Sequence, residues 1–156
     1  MRLATLAVIV KNGRVLLGYK KKGVEEISDI LNGPGGKVEP EESLEECVVR
    51  ETAEELGVYL NPYTLDEVAV IIFYAAGVPD FEVHVFRSSD YNGTPRETEK
   101  MIPECNDVGR LPIERMLEGD RAWFEKAVRG ERFNADVYYR EKAKGFERIE
   151  YFPFKD

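Results

Sequence analysis

Residues 36–58 read GKVEPEESLEECVVRETAEELGV, and this stretch decides the fold. Ser43 followed by Glu46 fits a capping box, in which each side chain satisfies the other's backbone N–H at a helix start. A helix is predicted over 43–56, with Gly57 where a left-handed C-cap residue belongs. Leu44, Cys47, Val48, Thr52 and Leu56 approximate an apolar stripe at helical spacing. Eight glutamates, at 39, 41, 42, 45, 46, 51, 54 and 55, stand against Lys37 and Arg50. Glu51, Glu54 and Glu55 sit at i, i+3 and i+4 and converge on one helical face, where like charges repel. Their place near the helix C-terminus also opposes the macrodipole. A hard divalent cation removes both penalties, and carboxylate oxygens suit Mg²⁺ or Mn²⁺. The plainer alternative is a solvated acidic helix. Two neighbours argue for the cation: Arg50, one turn from Glu46 and Glu54, and Gly35-Gly36, where backbone approaches a phosphate or metal without obstruction.

Outward from the helix, residues 3–10 and 14–19 are apolar runs joined by Asn12-Gly13, a strong hairpin signal. Residues 20–35 read as a loop, with three lysines at 20–22 and Asn32-Gly33-Pro34-Gly35-Gly36 at its end. Strands are predicted over 66–74 and 81–87, where residues 82–86 alternate. Residues 88–107 are polar and turn-rich. A second helix is predicted over 120–128, ended by Gly130, and a final strand pair over 133–139 and 146–152. Too few crossover helices exist for a doubly wound sheet, so the fold class is α+β with a mixed sheet between helices.

The chain has 156 residues, 43% apolar and 33% charged, and reads as one globular domain over 1–156. Its net charge of −8 argues against stable nucleic-acid binding, which needs excess Lys and Arg. Residues 36–58 alone carry −6, so the acidity is a concentrated local surface that admits a polyphosphate only with a cation present. Cys47 and Cys105 form no metal or disulfide framework and read as reduced thiols of a cytoplasmic protein. The N-terminal apolar run is far shorter than the roughly 18 residues of a membrane span and reads as a strand, with no signal peptide. Monomer and homodimer stay open. Tyr138-Tyr139 and residues 151–154 are either core packing or a dimer surface, and His84 reads as a structural residue of its strand.

Gly36, Glu42 and the run from Arg50 through Val58 resemble the Nudix box, G-x5-E-x7-R-E-U-x-E-E-x-G-U. Thr52 is the one departure, at a usually aliphatic position. Residues 32–39 and 80–86, Gly93-Thr94-Pro95 and Trp123-Phe124 resemble the MutT-type enzymes that remove oxidised purine nucleoside triphosphates. The resemblance implies a Nudix fold, an α/β/α sandwich around a mixed sheet, and Mg²⁺-dependent hydrolysis of a nucleoside triphosphate to monophosphate and pyrophosphate. It implies that Glu51, Glu54, Glu55 and the Gly36 carbonyl bind metal, that Arg50 orients Glu51, and that Glu42 anchors the loop–helix unit. Glu51, Glu54, Glu55 and Arg50 are thus the catalytic set, and the choice of general base among coupled carboxylates stays open.

The family places an acidic metal ligand outside the box, before a Met-x-Pro. Lys100 stands there, and Glu99 is the first choice as its substitute, ahead of Glu97 and Glu104. For the substrate, Lys37 is assigned to phosphate, and Asn32 and Asp120 match the family's base-recognition residues. Leu117 stands where a stacking Trp is expected, and Gly119 replaces the first of an Asp pair. Phe73, Phe81 and Trp123 are candidate pocket walls, with core packing as the plainer account. The alternatives are another nucleotide-linked diphosphate (ADP-ribose, a dinucleotide polyphosphate or an RNA 5′ end) and a non-catalytic ligand sensor. The intact Arg50/Glu51/Glu54/Glu55 set speaks against the sensor.

Overall fold

The computed structural model describes residues 1–23 and 25–155. The apolar N-terminal runs form β1 (Arg2–Lys11) and β2 (Arg14–Lys21), antiparallel and joined by the Asn12-Gly13 turn with both residues at positive φ. β3 (Ile27–Asn32) and β4 (Gly35–Lys37) follow, then α1 (Leu44–Leu56) and β5 (Tyr59–Leu60). β6 (Asp66–Ala75) and β7 (Val78–Ser88) form a long hairpin, followed by β8 (Tyr91–Asn92) and β9 (Met101–Asp107). Two short helices, α2 (Glu118–Arg121) and α3 (Phe124–Val128), precede β10 (Phe133–Glu141) and β11 (Lys144–Phe152).

Nine strands make one mixed sheet along the path β11-β10-β6-β7-β1-β2-β3, with β4 paired to β1 and β9 to β2. β1 runs parallel to β7, and β10 parallel to β6, while the hairpins are antiparallel. Helices cover both faces. Under α2 and α3 lies a core with Leu17, Ile71, Val85, Trp123, Phe124 and Val137. Under α1 lies a second core with Ala7, Ile9, Val48, Leu56, Phe86 and Met101. This is the sandwich expected of an α+β chain, because each face of the sheet must bury its apolar side chains against another layer.

Three expectations change. Residues 20–35 are not one loop: β2 extends to Lys21, and β3 pairs with it. Residues 88–107 contain β9, which pairs with β2 along its whole length. The helix over 120–128 starts at Glu118 and breaks at Ala122-Trp123. In each case long-range contacts override local composition. β3 and β9 are polar because few of their side chains are buried, yet their backbones complete the sheet. Breaking the helix lets Trp123 turn under the sheet, where it is 1% exposed.

The local signals at α1 are realised as read. Ser43 accepts from the Glu46 N–H, Glu46 accepts from the Ser43 N–H, and Gly57 closes the helix at φ 71°. Such a cap stabilises a helix by about 1 kcal/mol. Thr52 lies wholly buried against the sheet, and its hydroxyl has no hydrogen-bond partner. A buried unpaired hydroxyl costs roughly 1 kcal/mol or more, whereas a methyl of the same shape costs nothing there. Thr52→Val is therefore expected to raise the thermal midpoint by roughly 2–4 °C. A lowered midpoint by calorimetry would show that the hydroxyl is satisfied after all.

Candidate active site

β4 is a three-residue strand whose purpose is positional. It pairs with β1, Gly36 opposite Thr5, and lays the glycine backbone under α1. A Cβ on Gly36 would sit 2.6 Å from Cδ and 2.7 Å from Oε1 of Glu51, so only glycine lets that carboxylate rest on the strand. Because the obstruction is the mobile end of a side chain, Gly36→Ala is expected to fold normally and displace Glu51. Turnover should fall about 10²-fold or more, the scale of a roughly 1 Å misplacement in a reacting site, with little change in thermal midpoint. Equal losses of stability and activity would assign Gly36 to folding alone.

Cations pair with the glutamates of α1 and of the loop before it. The Arg50 Nε donates to Glu42 Oε2 at 2.6 Å and Nη2 donates to Glu42 Oε1 at 3.0 Å. Its Nη1 reaches Glu51 Oε1 at 2.9 Å and Glu54 Oε2 at 3.4 Å. The guanidinium hydrogen bonds hold the Glu42 carboxyl at a pKa of about 2. Glu54 is also bound by Lys100 Nζ at 2.7 Å, which lowers its pKa. Glu55, 4% exposed, accepts from the Gly35 N–H at 2.8 Å and faces Lys20 Nζ at 3.6 Å. Burial raises its pKa, partly offset by Lys20 and the Gly35 N–H.

Among the described residues, no three carboxylate, imidazole or thiol groups converge on one point in a metal-ready cluster. Arg50 pairs with Glu51 and Glu54, Lys100 with Glu54, and Lys20 lies beside Glu55. The donor set nonetheless fits a hard cation. Lys20 Nζ lies 2.9 Å from the Gly35 carbonyl and beside Glu55, so an ammonium stands in for positive charge between a carbonyl and a carboxylate.

The predicted base and phosphate residues come together. Asn32, Lys37, Phe73, Phe81, Leu117 and Asp120 all line one cavity of about 410 Å³, along with Gly36 and Trp123. Phe73 and Phe81 are half-buried walls of this space, and Phe81 lies under the Arg2 guanidinium at 3.9 Å. Asp120 is buried, accepts from Trp123 Nε1 at 3.2 Å, and is pushed up to a pKa of about 7 by burial. Gly35, Gly36 and Lys20, which lie against Glu51 and Glu55, also line this cavity.

The other candidates separate. Glu99 is exposed and lines a surface groove shared with Glu54 and Glu97. Glu97 is engaged by Lys21 at 2.6 Å, and Glu104 by Arg115 at 2.7 Å. His84 is bracketed by Glu67 and Glu82, both at 2.7 Å, away from the cavity lining. Cys47 is buried and Cys105 exposed, both free thiols. Among the described residues no helix is long and apolar enough to cross a membrane. Tyr138 stacks on Tyr74, Tyr139 is buried in the core, and Tyr151 and Phe152 remain over 40% exposed. Lys20, Tyr139 and Lys142 also line the cavity and were missed as site residues. Lys20 belongs to the lysine run at 20–22, whereas Tyr139 and Lys142 arrive from strand ends far along the chain.

The NUDIX domain profile matches residues 1–129, most of the chain. The chain belongs to the NUDIX family. An oxidized purine nucleoside triphosphate hydrolase of Danio rerio is 37% identical over 133 residues, covering 85% of this chain and 83% of that protein. Its namesake in Mus musculus is 35% identical over the same shares. A MutT crystal structure from Bacillus halodurans superposes with a TM-score of 0.80 over 97% of both chains at 19% identity, a likeness of fold. The sheet, its two helical layers and the placement of α1 over β4 are therefore those of a NUDIX domain.

Proposed function

We propose that this NUDIX protein hydrolyses oxidised purine nucleoside triphosphates to the nucleoside monophosphate and pyrophosphate, with a divalent cation, Mg²⁺ or Mn²⁺. The observation that carries the reading is continuity. One cavity holds every residue assigned to base and phosphate, and its lining includes Gly36, which lies against Glu51, and Gly35, whose N–H donates to Glu55. The names of the relatives at 35–37% identity support the substrate class.

Glu51, Glu54, Glu55 and the Gly36 carbonyl are the residues to hold the cation. Glu99 is retained as the outer carboxylate, being the one of the three outer candidates without an ion pair among the described residues. A divalent ion held there would supply Lewis-acid polarisation of phosphate oxygens and would lower the pKa of a water. The chain's own groups do the rest. Arg50 fixes Glu51 through a 2.9 Å hydrogen bond and ties α1 to the preceding loop through Glu42. Lys20 and Lys37 supply charge for the phosphates at the cavity mouth. Phe73, Phe81 and Leu117 exclude water around the base, and Asn32 and Asp120 hydrogen-bond its edge.

The test is a cation-dependent screen of nucleoside triphosphates, dinucleotide polyphosphates, nucleotide sugars and capped RNA, with products identified. Preferential release of monophosphate and pyrophosphate from an oxidised purine triphosphate is expected. If ADP-ribose alone turns over, the substrate reading fails and the hydrolase stands. If nothing turns over while nucleotides bind, the chain is a sensor.

A further inference from the structure

We propose that Tyr139 determines base specificity by donating its phenolic proton into the cavity, selecting a base edge that carries a carbonyl beside an N–H. The inference rests on the nucleotide reading above and names the residue behind its selectivity. Tyr139 comes from β10, is 4% exposed, and lines the cavity beside Leu117, Asp120 and Trp123. Its oxygen accepts the Gly119 N–H at 2.8 Å. That bond uses a lone pair and leaves the phenol's own proton. Among the described residues no oxygen accepts it.

Gly119 and Tyr139 form a matched pair. A Cβ at position 119 would lie 2.5 Å from the Tyr139 oxygen and 2.6 Å from Val137 Cγ1. The phenol thus occupies the place that any side chain at 119 would fill. Burial and the Asp120 carboxylate push the phenol's pKa up to about 12, so it stays a donor throughout the neutral range. Next to it, Asp120 receives one side-chain hydrogen bond, from Trp123. The pocket therefore sets a fixed donor beside a carboxyl acceptor. Its complement is a lactam edge, whose carbonyl oxygen accepts from Tyr139 and whose N–H donates to Asp120. A base lacking both carbonyl and N–H leaves the buried Tyr139 proton without an acceptor and the remaining acceptor capacity of Asp120 unused, a situation in which a site discriminates strongly.

The experiment needs neither metal nor turnover. Trp123 is the only tryptophan of the chain and touches Asp120, so its fluorescence reports base binding. Inosine monophosphate, with the carbonyl and N–H, and purine riboside monophosphate, with neither, are titrated into the protein and into Tyr139→Phe. The native protein is expected to prefer the inosine nucleotide at least tenfold, and Tyr139→Phe to lose most of that preference by weakening the inosine nucleotide alone. A purely structural Tyr139 would weaken both ligands together and leave the ratio unchanged, and the ratio does not depend on the folded fraction. An unchanged ratio in Tyr139→Phe, or no preference in the native protein, overturns the proposal. Failure of the hydrolase reading appears separately, as binding with the stated preference but no pyrophosphate release from nucleoside triphosphates.

Discussion

Glu55→Gln is expected to lower turnover by about 10²–10⁴-fold, the range for loss of a positioned acid–base group, and to leave the fold as stable as before. The amide keeps an oxygen for the Gly35 N–H, which Glu55 now accepts at 2.8 Å. What disappears is a negative charge in a site only 4% exposed. Burial raises this carboxyl's pKa above its ordinary value. An acid whose folded pKa is raised is favoured in its neutral form by folding, so its ionisation weakens the fold as pH rises above the unfolded value. Neutralising it permanently removes that cost, and the thermal midpoint at neutral pH should be equal or higher. Glu54→Gln should lose activity on the same scale, but without the stability gain, because Glu54 is more exposed and held by Lys100. Steady-state pyrophosphate release and melting curves on the same samples decide the matter. Unchanged release in both variants would sink the assignment of this face to catalysis.

The acidic helix was legible in the sequence because its crowded like charges run against the local stability of a helix. Natural helices seldom place three glutamates on one face at the end where the dipole disfavours them, so the violation itself marks a site. Caps are equally legible, since Ser43 and Glu46 are three residues apart and their geometry is local. The base pocket was legible only by resemblance. Asn32 and Asp120 lie 88 residues apart, and nothing local says that Asp120 turns into the protein. It does so because the chain breaks its helix at Ala122-Trp123, and that break follows from burying an indole. Tyr139 was hidden for a related reason. Its alternation in β10 announces only a core residue, while its hydroxyl acquires a role from Gly119, on another layer of the sandwich. β9 was hidden because a polar segment becomes a strand through the unpaired edge of β2, which no window of residues 101–107 contains.

Arg50→Met should produce the largest combined loss, in stability and in activity together. The guanidinium bridges Glu42 and Glu51 at 2.6–3.0 Å, reaches Glu54 at 3.4 Å, and donates to the Lys37 carbonyl at 3.3 Å. Removing one partner of a buried charge pair costs about 3–5 kcal/mol. Here Arg50 is 24% exposed and Glu42 12%, so solvent screening reduces the expectation to roughly 2 kcal/mol at neutral pH, a midpoint lower by roughly 4–8 °C. The pH dependence identifies the cause. Glu42 titrates at about 2 in the folded protein against an ordinary 4.5, so its contribution is complete above the ordinary value and lost as pH falls toward 2. The gap between native protein and variant should therefore be widest near neutrality and close progressively below about pH 4.5. Arg50→Lys keeps the charge but not the two-point contact, and should recover less than half of the gap. Divalent cations should raise the variant's midpoint more than the native protein's, because the glutamates left unpaired by Arg50 repel one another until a cation replaces it. A gap that stays constant from neutral to acid pH, untouched by Mg²⁺, would mean that Arg50 acts through packing of its aliphatic stem rather than by holding the carboxylates in place.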